Sequence, residues 1–133
     1  MENKKYPFQK TEAEWLELLG EDQYKILRGK NTERAYTGAY NLHTEKGGYN
    51  CGACKIPLFT SDQKFDSGCG WPSFDEAIQD RIEHILDKSH GMLRTEIVCA
   101  NCGSHLGHVF NDGPTDTGQR FCVNSLSLGF EQP

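Results

Sequence analysis

Gly118-Gln119-Arg120-Phe121-Cys122-Val123-Asn124-Ser125, close to the C-terminus, is the stretch from which the fold of this chain is read. In an extended strand Arg120, Cys122 and Asn124 point to one face, and Phe121 and Val123 point to the other. A polar face carrying a thiol, backed by an apolar face, is the pattern of a strand lining a cleft. Cys122 has no CxxC partner and sits beside an arginine and an asparagine. The thiolate is the reactive form of cysteine and a cationic neighbour favours it, so Cys122 is the candidate nucleophile. The plainer alternative is a small apolar residue buried and inert in a strand.

Working outward, strand signals dominate from Tyr49 onward. Arg120 to Val123 and Leu126 to Phe130 resemble a strand pair, and so do Arg81 to Leu86 and Leu93 to Cys99, joined through Ser89-His90-Gly91. Tyr49-Asn50-Cys51 and Ile56-Pro57-Leu58-Phe59 flank a turn, and Pro72 precedes an expected helical turn at Ser73 to Ile78. Residues 30–48 read as turn and loop. Before them, Thr11 and Glu14 have the capping-box form, and Trp15, Leu16, Leu18 and Leu19 supply a core-facing apolar stripe ending at Gly20. A second short helix is expected from Glu21 to Arg28, stopping at Gly29. The reading is one domain over residues 1–133: a helical arm (1–30) and a mostly antiparallel β core (31–133) with a metal site at one end.

Composition agrees. The chain has 133 residues, 14 of them glycine, with 36% hydrophobic and 25% charged residues, which suits a β-rich domain with many short connections. A net charge of −5 and a pI near 5.5 argue against general nucleic-acid binding. Met1 to Pro7 has no apolar run of a secretory peptide behind it, and no stretch approaches the roughly 18 apolar residues of a membrane helix. A cytoplasmic protein with no membrane association is expected.

Six cysteines would read as three disulfides in a secreted chain and as metal or redox chemistry in a cytosolic one. Spacing favours metal. Cys51-Gly52-Ala53-Cys54 and Cys99-Ala100-Asn101-Cys102 are two CxxC turns, and four thiolates are the complement of a tetrahedral structural zinc. A single CxxC would fit a thioredoxin-like redox motif; a pair points to one structural zinc ion clamping two distant hairpins. Gly103 eases the turn after the second pair, whereas Lys55 follows the first.

Three segments together read as an active site. Ser67-Gly68-Cys69-Gly70-Trp71-Pro72-Ser73-Phe74 places a cysteine between glycines with a tryptophan two residues on. His105-Leu106-Gly107-His108-Val109-Phe110-Asn111-Asp112 offers two imidazoles and a carboxylate, and the Arg-Phe-Cys-Val-Asn stretch offers the thiol. With Phe65-Asp66 before the first and Gly113-Pro114 after the second, these motifs resemble those of the B-type methionine sulfoxide reductases, from about Thr11 to Phe130. Ala35-Tyr36 departs from the Pro-Phe common in that family, and Lys55 from the usual glycine.

The resemblance implies two antiparallel sheets, zinc on Cys51, Cys54, Cys99 and Cys102, and reduction of the R epimer of methionine sulfoxide in proteins or peptides. It implies Cys122 as nucleophile passing through a sulfenic acid, with Cys69 resolving it as a disulfide that thioredoxin reduces. His105 and His108 are then the proton donors, with Asp112 orienting one of them. Arg120 and Asn124 favour the thiolate and hold substrate or water. Trp71 gives the substrate methyl an apolar wall. A monomer is expected, and His43, His84 and His90 are left as structural or surface residues. A zinc-bearing binding module would have no need of Cys69, Cys122 and the histidine pair. A zinc hydrolase or deaminase would need an open ligand position, which four thiolates close, and the HxE plus PCxxC pattern, which does not occur: neither CxxC is preceded by proline.

Overall fold

A computed structural model describes residues 6–88 and 91–132. Thr11 caps helix α1 (Glu12–Leu27): its hydroxyl accepts from the Glu14 N–H while the Glu14 carboxylate accepts from the Thr11 N–H. At Gly20 the backbone leaves the helical region (φ 80°, ψ 166°), so α1 is two short helices joined at a kink, the division expected at that glycine. Of the expected stripe, Trp15 is fully buried and Leu19 packs partly on the core. Leu16 and Leu18 are exposed, a correction with a simple cause: Trp15 and Leu19 lie four residues apart on one face, and the other two leucines fall off it.

Among the described residues nine strands follow: β1 (Gly48–Cys51), β2 (Pro57–Thr60), β3 (Lys64–Phe65), β4 (Ser73–Phe74), β5 (Ile82–Asp87), β6 (Arg94–Cys99), β7 (His105–Phe110), β8 (Arg120–Val123) and β9 (Leu128–Glu131). They form two antiparallel sheets among the described residues, one of order β2-β1-β9 and one of order β3-β4-β8-β7-β6-β5. Ser73 and Phe74 are a strand, correcting the helical turn expected after Pro72: Ser73 pairs with Cys122 and Phe74 with Phe121. The final two strands also do not pair with each other as expected. A 3-10 turn at Ser125–Ser127 carries the chain from β8 in the larger sheet to β9 in the smaller one, where β9 pairs with β1. The β5–β6 pairing is as read, although Ser89 and His90 of its connection lie outside the described residues.

The core lies between the sheets. Phe59 of β2 stacks on Phe74 of β4 (ring centroids 4.2 Å, interplanar angle 13°), and Tyr49 meets Phe74 edge-on at 5.1 Å. Phe121, Val109 and Ile97 continue this face across β8, β7 and β6, all buried. The opposite face of the larger sheet is thereby left for polar side chains.

Both CxxC motifs occupy hairpin turns, one between β1 and β2 and one between β6 and β7, so the cysteines bridge the two sheets. The turns close alike: Lys55 N–H donates to the Cys51 carbonyl (2.9 Å) and Gly103 N–H to the Cys99 carbonyl (2.7 Å). Both closing residues are left-handed, Lys55 at φ 74° and Gly103 at φ 77°. Lysine is strained there by about 1 kcal/mol, partly offset by the freedom glycine loses on folding. Lys55→Gly is therefore expected to stabilise the protein by about 0.5 kcal/mol, about 2 °C in Tm. An unchanged or lower Tm would show instead that the Lys55 ammonium bond to the Gly52 carbonyl (3.0 Å) matters as much.

Candidate active site

The register of the larger sheet builds the site. Ser73 on β4, Cys122 on β8, His108 on β7 and Glu96 on β6 are consecutive Cα partners across four strands. Directly opposed residues share a face, so these four side chains form a row on the side away from the aromatic core. Strict alternation would put His105, three residues from His108, on the core side. It does not, because the β6–β7 register shifts: Ile97 pairs with Gly107 and Val98 with His105, leaving Leu106 as an extra residue. This bulge turns His105 onto the row's face, with the two imidazole centroids 5.8 Å apart.

Asn124 holds the bulge in place. Its backbone N–H (2.9 Å) and its side-chain amide (3.1 Å) both donate to the Leu106 carbonyl, and its Oδ1 accepts from the Glu33 N–H (2.9 Å). The buried amide thus points its polar atoms at backbone, in place of the contact with the thiolate expected from alternation alone.

Each histidine has its own carboxylate. His105 Nδ1 lies 2.7 Å from Glu96 Oε2, and His108 Nε2 lies 2.8 Å from Asp87 Oδ2. A histidine nitrogen bonded to a carboxylate carries the proton, which leaves His105 Nε2 and His108 Nδ1 as the exchanging atoms. His105 Nε2 is buried and has no hydrogen-bond partner. Burial first, then the Arg94 and His105 charges, pulls the His108 pKa below its ordinary value, although Asp87 pulls upward. Glu96 and Asp87 were missed in the sequence. A signal existed for Glu96, a charge placed directly before the apolar run Ile97-Val98-Cys99; none exists for Asp87, whose role depends on the β5–β6 register.

Asp112, expected to orient a histidine, pairs elsewhere. Its carboxylate takes a two-pronged bond from Arg120 (Nε to Oδ1 2.9 Å, Nη2 to Oδ2 3.1 Å), and the guanidinium lies 4.5 Å over the Phe110 ring. The histidines' carboxylates come instead from β6, which pairs with β7, and from β5, the next strand beyond it.

The two unpaired cysteines meet. Cys122 Sγ and Cys69 Sγ are 3.6 Å apart, close enough for small movements to bring them to the roughly 2.0 Å of a disulfide. Ser67 donates to Cys69 Sγ at 3.0 Å, and Ser73 Oγ lies 3.5 Å from it. Burial pushes the Cys69 thiol up, but hydrogen bonds to Ser67, Ser73 and Cys122 outweigh it and leave its pKa below the ordinary value. Cys122 is pushed up to about 12, first by burial and then by the charge and hydrogen bond of Cys69. Arg120 pulls it down as expected, but is outweighed. The two sulfurs open onto different clefts. Cys122 lines a pocket of about 110 Å³ with Trp71, Arg94, His108, Phe110 and Asn124, and Cys69 lines a wider groove with Phe65, Asp112, Pro114 and Arg120. Trp71 is held by its indole N–H, which donates to the Glu33 carbonyl at 3.0 Å.

The other four cysteines form a separate cluster. All four Sγ atoms lie within 4.8 Å of one another, with Cys51–Cys102 at 3.7 Å and Cys54–Cys99 at 3.6 Å. A tetrahedron with metal–sulfur bonds of about 2.3 Å has edges of about 3.8 Å, so the set fits a four-thiolate metal site. Arg28, at the end of α1, donates to the Cys102 carbonyl (2.9 Å) and to Ser104 Oγ (3.1 Å), bringing positive charge to a cluster that is anionic when it holds metal.

Thiolate fraction sets alkylation rate, and Cys69 ionises at lower pH than Cys122. Limited iodoacetamide at pH 7.5 is therefore expected to label Cys69 at least about tenfold faster than Cys122, read by peptide mass spectrometry. Labelling of Cys122 first would contradict the assignment of the low-pKa thiol.

Comparison with known proteins bears on the same residues. The SelR domain model matches residues 19–132. A protein named peptide methionine sulfoxide reductase MsrB from Variovorax paradoxus (strain S110) is 54% identical over 132 residues, covering 95% of this chain and 97% of the relative. Proteins of the same name from Agrobacterium fabrum (56%, covering 92% of this chain and 91% of the relative) and Leptospira interrogans (52%, covering 96% and 98%) are also similar. The chain belongs to the SelR-domain family, the B-type methionine sulfoxide reductases.

Proposed function

We propose that the protein, read as a single domain over residues 1–133, reduces methionine-R-sulfoxide in oxidised proteins or peptides to methionine, using Cys122 as nucleophile and Cys69 as resolving thiol. The observation that carries this reading is the 3.6 Å approach of the Cys122 and Cys69 sulfurs at the rim of a pocket walled by Trp71 and His108.

A sulfoxide sulfur is electrophilic, but its oxygen leaves poorly unless protonated. In the proposed first step the side chain enters the small pocket with its methyl against the Trp71 ring. Cys122 Sγ attacks the sulfur while His108, directly across the strand pair, delivers a proton to the oxygen from Nδ1. The Cys122 thiol gives up its own proton in the same step, so the net change is thiol plus sulfoxide to sulfenic acid plus thioether. Two electrons pass from the cysteine to the methionine sulfur, and the oxygen moves to Cys122. Asp87 steadies the positive charge on His108, while Glu96 and the bulge hold His105 beside it. Arg120, fixed by Asp112, keeps a cation near both sulfurs without occupying the pocket.

Cys69 then attacks the sulfenic acid, water leaves, and a Cys69–Cys122 disulfide forms. Its exchange with a dithiol such as thioredoxin returns both thiols, the electrons coming from the reductant. Zinc is the metal proposed for Cys51, Cys54, Cys99 and Cys102, where it would tie the two sheets together and stand outside the chemistry. A cytoplasmic monomer is proposed, acting without nucleic acid or membrane; among the described residues no helix is long and apolar enough to cross a membrane.

Separated R and S epimers of a methionine-sulfoxide peptide, with thioredoxin recycling, test the reading. Turnover is expected for R only. Cys122→Ser should lose it while keeping its metal, and Cys69→Ser should release about one methionine per chain and then stall. Inactivity of folded, metal-loaded wild type toward both epimers, or full thioredoxin-driven cycling in Cys69→Ser, would contradict it.

A further inference from the structure

Cys69 sits on a loop flanked by two glycines. Gly68 and Gly70, on either side, are both left-handed (φ 76° and 97°), a region glycine enters freely. A side chain added at Gly68 would meet nothing within 4 Å, so that flank faces open space. Yet this loop must keep one sulfur at contact distance from Cys122.

Besides the Gly68 N–H bond to Asp66 and the Ser67 and Ser73 contacts of Cys69, two bonds from a single more distant residue hold it. Tyr36 donates its backbone N–H to the Gly70 carbonyl (2.7 Å) and its phenol to the Gly68 carbonyl (2.8 Å), gripping the backbone on both sides of Cys69. Its ring covers Gly70, where an added Cβ would come within 3.0 Å of the ring and 2.8 Å of Ala35 Cβ. Tyr36 is itself left-handed (φ 68°), a conformation that costs a bulky residue energy and persists only where its surroundings impose it. The turn around it is tied by the Thr37 hydroxyl and N–H, which both donate to the Arg34 carbonyl. An exposed tyrosine in a strained conformation, with both of its donors on the cysteine loop, is placed to restrain that loop.

We infer that Tyr36 is a positioning residue for the resolving step: its phenol latches the Cys69 loop so that Cys69 meets the Cys122 sulfenic acid. The inference rests on the two-cysteine reading above. Tyr36 does not line the Cys122 pocket, so the reduction of substrate by Cys122 does not depend on it. Only the following step, in which Cys69 Sγ bonds Cys122 Sγ and water leaves, depends on the latch.

Stopped single turnovers with a methionine-sulfoxide peptide and no reductant separate the two steps. Methionine release reports the first, and the Cys69–Cys122 disulfide, quantified by mass spectrometry after acid quench, reports the second. Tyr36→Phe keeps the ring over Gly70 and loses the phenol bond. It is expected to release methionine at the wild-type rate and to form the disulfide about 2- to 13-fold more slowly, the range one neutral hydrogen bond supports. Dimedone should trap correspondingly more sulfenic acid. Tyr36→Ala, which also uncovers Gly70, should be slower still in the second step alone. Wild-type disulfide kinetics in Tyr36→Phe would overturn the latch, and so would equal slowing of both steps, which marks a general structural role. Cys69→Ser run in parallel tests the underlying reading separately: sulfenic acid that disappears there at the wild-type rate would sink the resolving role of Cys69, and the latch with it.

Discussion

The chemistry of this protein depends on one cross-strand register. Ser73, Cys122, His108 and Glu96 are Cα partners in a single row, while Phe74, Phe121, Val109 and Ile97, their neighbours or near neighbours in sequence, face the other way into the core. Because side chains alternate, a slip of one residue would exchange these sets, burying the thiol and imidazoles and exposing the aromatic ring cluster. Packing of Phe74 against Phe59 and Tyr49 therefore places Cys122 opposite His108. Hydrophobic burial on one face supplies geometric precision on the other. The single break in alternation, at Leu106, brings the second histidine to the row, and the Asn124 amide occupies the carbonyl that this break leaves out of the ladder.

The four-thiolate cluster serves the same geometry from a distance. Each CxxC turn connects strands within one sheet, so metal bound there would fix the smaller sheet against the larger and protect the interface that orients β4 and β8. Arg28 ties the helix to this corner, stacking 4.7 Å over the buried Trp15 ring and bonding the second metal turn. Cys69 and Cys122 stand apart from this cluster, and their sulfurs open onto different clefts, which in the proposed cycle gives substrate and reductant distinct approaches.

Much of this was legible in the sequence for local reasons. The CxxC spacings, the alternation around Cys122 and the capping box at Thr11 are short-range patterns, and each has its counterpart in the fold. What the sequence did not disclose was non-local. The histidines' carboxylates, Asp87 and Glu96, come from other strands and depend on register; Asp112 is claimed by Arg120 across the β7–β8 connection. Leu126 to Phe130 has the composition of a partner for β8, but a 3-10 turn sends it to the other sheet. Ser73 and Phe74 follow a proline that fits a helix start, yet pairing with β8 overrides that local preference. Pairs whose alternatives are energetically close are decided by tertiary contact, which no short window carries.

The central claim is that the row works through His108, with Asp87 setting its proton affinity. His108 is surrounded by Asp87 from β5, Arg94 and Glu96 from β6, His105 on its own strand and Cys122 from β8. Asp87 raises the His108 pKa against the pull of burial, Arg94 and His105, so replacing it with an uncharged isostere lowers that pKa further. A proton donor is lost as pH rises through its pKa; hence Asp87→Asn must lose activity at lower pH than wild type. The decisive measurement is the single-turnover rate of methionine release against pH for both proteins. The account predicts that the falling limb of Asp87→Asn is displaced to lower pH, leaving the variant slower than wild type at any fixed pH above it. Superimposable profiles would contradict it.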